Sequence, residues 1–421
     1  LLEGDETIKL TLENLVKPAT VTAALGNTAN ITTISDDESG TLAIETDSTV
    51  SEAGGAQNVG LVTMTITGTR DDSDTFALGS GITLTADVTQ GAAGTATITN
   101  DYTYTTPQQV SFGSGALTGA TDQVSLTAVE DALLEGAETV NLVLQTLGEV
   151  GNDVDASLGN TANVTTITDN ESATLAIGAT DTVTEAGGAQ NIGVTLTITG
   201  TGTGPFTLGD GITLTADVVD ATGGTAISGT DYAAIGTQTL TFDNNAASAT
   251  VKNAQVTPVS DALLEGDETI KLRLENLVQP ATVTAALGNT ANITTITDDE
   301  SGTLDIEADS TVSEAGGAQN VGLVTLTITG TRDDSDTFAL GSGITLTADV
   351  TQGAPGTATL TDDYTYSTPQ QVSFGSEALT GATDNVSLTA VEDALLEGAE
   401  TVNLVLGNLA EVGNDVDAAL G

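Results

Sequence analysis

The chain contains no cysteine, no histidine and no tryptophan. Without cysteine there is no disulfide to staple a small core, and the redox compartment is left open. Without histidine or cysteine, Ser-His-Asp and Cys-His catalysis are excluded, as are zinc sites built on imidazole or thiolate. Positive charge is scarce too: 7 Lys and Arg stand against 59 Asp and Glu, a formal charge of −52. That excludes nucleic acid as a partner, because phosphate recognition needs clustered cations. The same sign disfavours an anionic membrane surface, and no apolar run is long enough for membrane insertion. The opening Leu1-Leu2-Glu3-Gly4 does not read as an export signal, so any such signal is expected outside this sequence. Aromatics make up only 3% of the 421 residues, which forces an aliphatic core.

What is present is repetitive. The string LLEG begins at Leu1, Leu133, Leu263 and Leu395, and SEAGGAQN or TEAGGAQN begins at Ser51, Thr184 and Ser313. Residues 1–159 are nearly identical to residues 263–421, so two module types alternate. The pieces read as 1–39 (the end of a module), 40–171, 172–301, and 302–421 (a module lacking its last strand). Copies this similar predict an array that continues. Within a module the apolar period is two, over Thr41–Val50, Val59–Gly68, Gly81–Thr89, Gln109–Phe112, Gln123–Val129, Glu138–Leu147 and Asn163–Thr168. Gly, Asp, Asn and Pro punctuate between them, and no helical stripe appears. The expected fold is all-β: tandem immunoglobulin-like antiparallel β-sandwiches of about seven strands each.

In that wiring the loops after the first, third and fifth strands share one end with the exit from the seventh. Glu52 falls in the first of these loops, Asp101 in the second, and Glu130, Asp131 and Glu135 in the third; Asp169, Asn170 and Glu171 follow the last strand. Carboxylates gathered this way repel one another. Oxygen-only ligands in such number suit Ca²⁺, which takes six to eight. Module 172–301 repeats the set with Glu185, Asp231, Asp261, Glu265, Asp298, Asp299 and Glu300, but has Ser260 in place of Glu130, which predicts a weaker site. Module 302–421 offers Glu314, Asp363, Glu392, Asp393 and Glu397, and the first fragment keeps Glu3, Asp36, Asp37 and Glu38.

The strings EDALLEGAETVNLVL, ITDNES and TNDY, with the SEAGG turn, are similar to the Calx-β family. The resemblance implies Ca²⁺ coordination by Glu52, Asp101, Glu130, Asp131, Glu135, Asp169 and Glu171, with the Leu133 carbonyl as an extra ligand. Asn170 departs from the family pattern, which has Asp there. The modules are also longer than is usual for the family, with the extra length at residues 69–81 and 148–160. Those segments are expected to face the preceding module and to bring Asp71, Asp72, Asp74, Asp153 and Asp155 to a shared junction. Glu138, Glu268 and Glu400 are expected to orient the acidic loop by accepting backbone amides.

Plainer readings compete. An Asp-rich turn is often only a turn, because the side chain bonds its own backbone. Tyr102 and Tyr104 fit a core plug better than a sugar platform. The leading expectation is a calcium-stiffened extracellular stalk or fibre of a cell-surface, adhesion or matrix protein, whose partners are calcium ions and neighbouring modules. The alternatives are a self-assembling filament of further copies and, behind it, a calcium-sensing regulatory module. Catalysis by paired carboxylates is not expected, because near-identical repetition is odd for an enzyme.

Overall fold

A computed structural model describes residues 1–69, 75–151, 153–331 and 337–421. Asp71, Asp72 and Asp74 lie outside the described residues. The first fragment supplies a lone antiparallel pair, β1 (Glu6–Thr11) and β2 (Ala29–Ile34), exposed throughout. The first complete module contains β3 (Ser39–Ile44), β4 (Asp47–Ser51), β5 (Ala56–Thr67), β6 (Thr83–Gln90), β7 (Tyr102–Thr103), β8 (Gln108–Phe112), β9 (Thr121–Ala128), β10 (Leu133–Leu134), β11 (Glu138–Val150), β12 (Ala156–Leu158) and β13 (Ala162–Thr168). Two five-stranded sheets, ordered β4-β13-β11-β6-β8 and β12-β3-β5-β9-β7, pack face to face. Inward residues alternate as expected: Leu84, Ala86 and Val88 on β6, and Val140, Leu142 and Leu144 on β11, are essentially inaccessible. Tyr102 and Tyr104 are buried, and the Tyr104 hydroxyl donates to the Val88 carbonyl at 2.9 Å, so the pair is a core plug.

One expected strand, Thr41–Val50, is two. β3 pairs antiparallel with β5 in one sheet, and β4 pairs parallel with β13 in the other. Both halves point their apolar side chains (Leu42, Ile44, then Val50) into the same core, so alternation alone does not reveal the crossing. Buried Asn163 stakes it: its Nδ2 donates to the Glu45 carbonyl at 3.1 Å and to Ser48 Oγ at 2.9 Å. The β8 edge is closed by Gln108, which donates to the Ser125 carbonyl and accepts the Ser125 amide across to β9, a side-chain ladder that blunts an exposed edge.

The second module repeats the plan with β14 (Ser172–Ile177), β15 (Thr180–Thr184), β16 (Gln190–Thr199), β17 (Thr207–Leu208), β18 (Leu214–Ala221), β19 (Gln238–Phe242), β20 (Val251–Val256), β21 (Leu263–Leu264), β22 (Glu268–Val278), β23 (Ala285–Leu287) and β24 (Ala291–Thr297). Residues 302–421 repeat strands β3, β5 and β6 of that plan, and among the described residues 309–313, which correspond to β4, form no strand.

Successive modules are fastened by more than chain continuity. Only three residues separate β13 from β14. The hook β10 leaves its own sandwich and pairs parallel with β17 of the next module; Thr207 N donates to Ala132 O at 3.0 Å and Gly209 N to Leu134 O at 2.9 Å. Leu134 is 0% exposed, inside the core of the following module among Leu175, Leu196, Leu208 and Leu214. Leu2 and Leu264 do the same one module earlier and one later. The segments of extra length meet this hook. Gly136, at φ +83°, lies so close to the Thr282 carbonyl that a Cβ would approach it to 2.6 Å. Asn414 Nδ2 donates to the Glu265 carbonyl at 3.1 Å in the next joint.

Candidate metal centre

The 3₁₀ turn Glu52–Gly54 carries the first acid of the site. Its position is set by Gln57, which accepts from Ser51 N at 3.0 Å and donates back to Ser51 O. Gly54 is small because the Gln57 amide occupies the space its Cβ would take. This explains the SEAGGAQN string, which the sequence showed only as a repeat. Gln57→Ala removes two hydrogen bonds and is expected to cost ~1–2 kcal/mol; thermal unfolding would show it, and an unchanged melt would count against the clasp.

Around that turn the acids form a network. Glu52 accepts from Asp131 N at 3.1 Å, and Asp131 Oδ1 accepts from Leu133 N at 2.7 Å. Asp169 Oδ2 takes both Glu135 N (2.9 Å) and Gly136 N (2.6 Å), while its Oδ1 takes Glu171 N (2.8 Å). Two triads converge, each with one oxygen per residue within 4.8 Å of the others: Glu52, Asp169 and Glu171, and beside them Asp101, Glu135 and Glu138. Asp101 is itself held by the Thr97 amide. Module 172–301 has the same two triads, Glu185, Asp298 and Glu300, and Asp231, Glu265 and Glu268; Asp261 accepts from Leu263 N at 2.8 Å. In the first fragment Asp36, Asp37 and Glu38 come together, and Asp36 accepts the Glu3 and Gly4 amides. Glu314, Asp393 and Asp363 keep their loop bonds in the last module. Glu392, Glu397 and the hook residues Leu395 and Leu396 are exposed there.

One expectation changes. Glu138 and Glu268 join the clusters rather than bracing the loop through backbone amides. The last Glu of the E-G-x-E string held this information, because strand β11 starts there and aims it back toward Asp101. The Ser260 position is organised differently. In the first module Asn170 Nδ2 donates to Glu130 Oε2 at 2.9 Å, and Thr201 Oγ1 of the next module donates to Glu130 Oε1 at 2.8 Å. In the second, Asp299 accepts both the amide and the hydroxyl of Thr331. Glu with Asn has been exchanged for Ser with Asp, so each joint holds one carboxylate at this place and avoids a like-charge pair. The carbonyls on either side of Leu133, those of Ala132 and Leu134, accept amides of the next module.

Burial, then neighbouring negative charge, raises the acids. Glu52 and Glu135 stand at about 7, and Glu138 and Glu171 at about 8. In the second module Glu185 and Glu265 stand at about 7, Glu268 at about 8 and Glu300 at about 9. Glu171 and Glu300 are the extreme cases: each is 2% exposed, no donor reaches either ionised carboxylate oxygen, and the carboxyl of Asp169 or Asp298 beside it raises it further. An unpartnered buried carboxylate costs several kcal/mol. It fits a site whose remaining partner is a cation.

A family-level comparison matches the Calx-beta domain over residues 35–172, 212–300 and 345–420, well over half of the chain. The chain belongs to the Calx-beta family. Among solved structures, the CBD12 of CALX1.2 is 17% identical with a TM-score of 0.27, covering 61% of this chain and 99% of that one. The apo-form Calx CBD1 domain is 19% identical with a TM-score of 0.23, covering 30% and 97%. The calcium binding domain CBD12 of CALX1.1 is 14% identical with a TM-score of 0.25, covering 60% and 98%. No curated protein matches. In this Calx-beta array the acidic pole of each complete module is also its contact with the next.

Proposed function

We propose that the chain is a structural rod segment of an extracellular surface, adhesion or matrix protein, stiffened at each module joint by calcium. Its partners are the ions and its own neighbouring modules. The observation that carries this reading is the buried, unpartnered carboxylate at each complete joint, Glu171 and Glu300, lying against two clustered acids. Oxygen donors from carboxylates, with no nitrogen or sulfur, favour Ca²⁺ over transition metals. In the first complete module Glu52, Asp169 and Glu171 would hold one ion, Asp101, Glu135 and Glu138 a second, and Asp131 lies between them. The ion supplies charge neutralisation, and the residues supply position. Millimolar extracellular calcium matches the affinity range of extracellular modules. A catalytic role finds no support in three near-identical poles without an organic-substrate cleft among the described residues.

Titration calorimetry of the full chain with CaCl₂ tests this. Saturable binding at more than one site per complete joint is expected, with Glu171→Gln weakening one joint at least tenfold and leaving the Glu300 joint intact. Absence of saturable heat up to several millimolar calcium would refute it.

A further inference from the structure

Tension carried along the chain enters a complete module at β3 and leaves it at β13, and only three residues join β13 to β14. Between those two points the leading strands run parallel to the closing strands in both sheets. β3 pairs with β12 over Gly40–Leu42, and β4 pairs with β13 over Asp47–Ser51. The second module repeats both pairings, β14 with β23 and β15 with β24. Strand direction decides the response to force. When the start of one strand is pulled against the end of its parallel partner, the two are driven to slide along their axis. The evenly spaced ladder bonds are then strained together, whereas a hairpin pulled at its open end parts one bond at a time.

Side chains bond the same seam. Asn160 Nδ2 donates to the Ile44 carbonyl at 2.6 Å, and Asn163 Nδ2 donates to the Glu45 carbonyl at 3.1 Å and to Ser48 Oγ at 2.9 Å. Thr168 Oγ1 donates to the Val50 carbonyl at 3.1 Å. Asn289, Asn292 and Thr297 make the matching bonds to Ile177, Gly178, Asp181 and Val183. Apart from Glu171 and Glu300, the buried polar side chains among the described residues are Asn163, Thr165, Asn292 and Thr294. All four lie on β13 or β24, at this seam. Burying an amide costs free energy that an apolar side chain would not, unless its hydrogen bonds are made. Here they are made: the Thr165 and Thr294 hydroxyls donate to the Asn163 and Asn292 side-chain oxygens.

We infer that this seam is the load-bearing clamp of each complete module. The β4–β13 ladder stapled by Asn163, and the β15–β24 ladder stapled by Asn292, set the rate at which a module yields to tension. The clamp uses none of the clustered acids, so the inference goes beyond the calcium reading and stands without it. Resistance to force and resistance to heat become separable, because heat opens the whole core whereas tension is met by the seam.

Constant-force extension of the full chain, tethered at its two ends in chelator, tests this. A complete module such as 172–301 lengthens by roughly 40 nm on yielding, at about 3.3–3.6 Å per residue. The two longest-lived steps of that size are expected to belong to 40–171 and 172–301. Asn163→Ala should shorten the dwell of one of them roughly tenfold, as loss of one well-made hydrogen bond from the barrier implies, and Asn292→Ala that of the other. Ser48→Ala is a smaller cut at the same place, and it should shorten the first dwell even if Asn163→Ala fails to fold. Val110→Ala is the control. It opens the core on β8, at the far edge of the same sheet, and should lower the melting temperature while changing the dwell less than about twofold. Unchanged dwells in the seam variants, or equal shortening by Val110→Ala, would overturn the inference and assign the resistance to the core as a whole.

Discussion

In a calcium chelator, raising the pH from about 5 to about 8.5 will lower the melting temperature of this array by roughly 10 °C, and calcium will abolish the loss. The direction follows from the raised acids. Glu52, Glu135, Glu138 and Glu171 hold their protons to about 7 or 8 in the folded chain, against 4.5 for a free glutamate. Between those values the folded state binds more protons than the unfolded one. Stability from these groups is thus full below about 4.5 and is lost as pH rises through the folded values. One pH unit is worth at most ~1.4 kcal/mol, and water reaches several of these groups, so about 1 kcal/mol per acid is a fair discount. Four acids give roughly 4 kcal/mol per joint. Calcium replaces the protons: at one hundred times Kd it restores ~2.7 kcal/mol per ion.

Scanning calorimetry at several pH values, with chelator and with calcium, reads this directly. Glu171→Gln provides a sign test. In chelator the amide removes a buried charge and should stabilise at pH 8; in calcium it removes a ligand and should destabilise relative to the parent. A general effect of the −52 net charge would not reverse sign at one residue. A flat profile in chelator would mean that the acids are not pressed together in solution.

Much of this geometry was legible in the sequence because strands alternate with a period of two and sandwich wiring fixes which loops share a pole. Val59 to Gly68 or Asn163 to Thr168 can be read as strands by eye, and Glu52, Asp101, Asp131 and Asp169 follow from them. What stayed hidden depends on contacts that alternation does not encode. The crossing between β3 and β4 keeps the parity of Leu42, Ile44 and Val50, and only the buried side chain of Asn163, more than a hundred residues away, marks it. Gln57 is polar and lies inside a repeat, so it reads as surface until the turn it clasps is seen. Leu134 is the clearest case. Beside Glu135 and Gly136 it reads as part of an acidic loop, and nothing local says that its side chain completes a core whose other members begin at Ala173. The exchange of Glu130 and Asn170 for Ser260 and Asp299 was visible letter by letter, but its meaning needed Glu130 and Asn170 to be neighbours facing Thr201 of the next module.

Leu134→Ala will destabilise the module that follows it more than the module that encodes it. A fully buried leucine replaced by alanine costs about 2–5 kcal/mol, the spread reflecting how far the site can collapse. Here the cavity opens in the core of residues 172–301, next to Leu208 and Leu214, because that is where the side chain resides. Leu264→Ala should do the same to residues 302–421. A surface leucine of a complete module is the control: Leu117 is half-exposed, so Leu117→Ala should change stability by less than about 0.5 kcal/mol. Limited proteolysis of the full chain in chelator, with the first cleavage sites mapped by mass, separates the outcomes. New cuts within 172–301 for Leu134→Ala, and an unchanged pattern for Leu117→Ala, are expected. Equal sensitivity of the two variants, or cuts confined to 129–138, would mean that the hook is only a loop and that the modules hold together by other means. The plug needs no ion, so its effect should survive chelation, whereas the pH-dependent loss of stability should appear only when calcium is withdrawn. The joint then has two separable fasteners: an apolar one that sets where the next module sits, and an ionic one that sets how firmly.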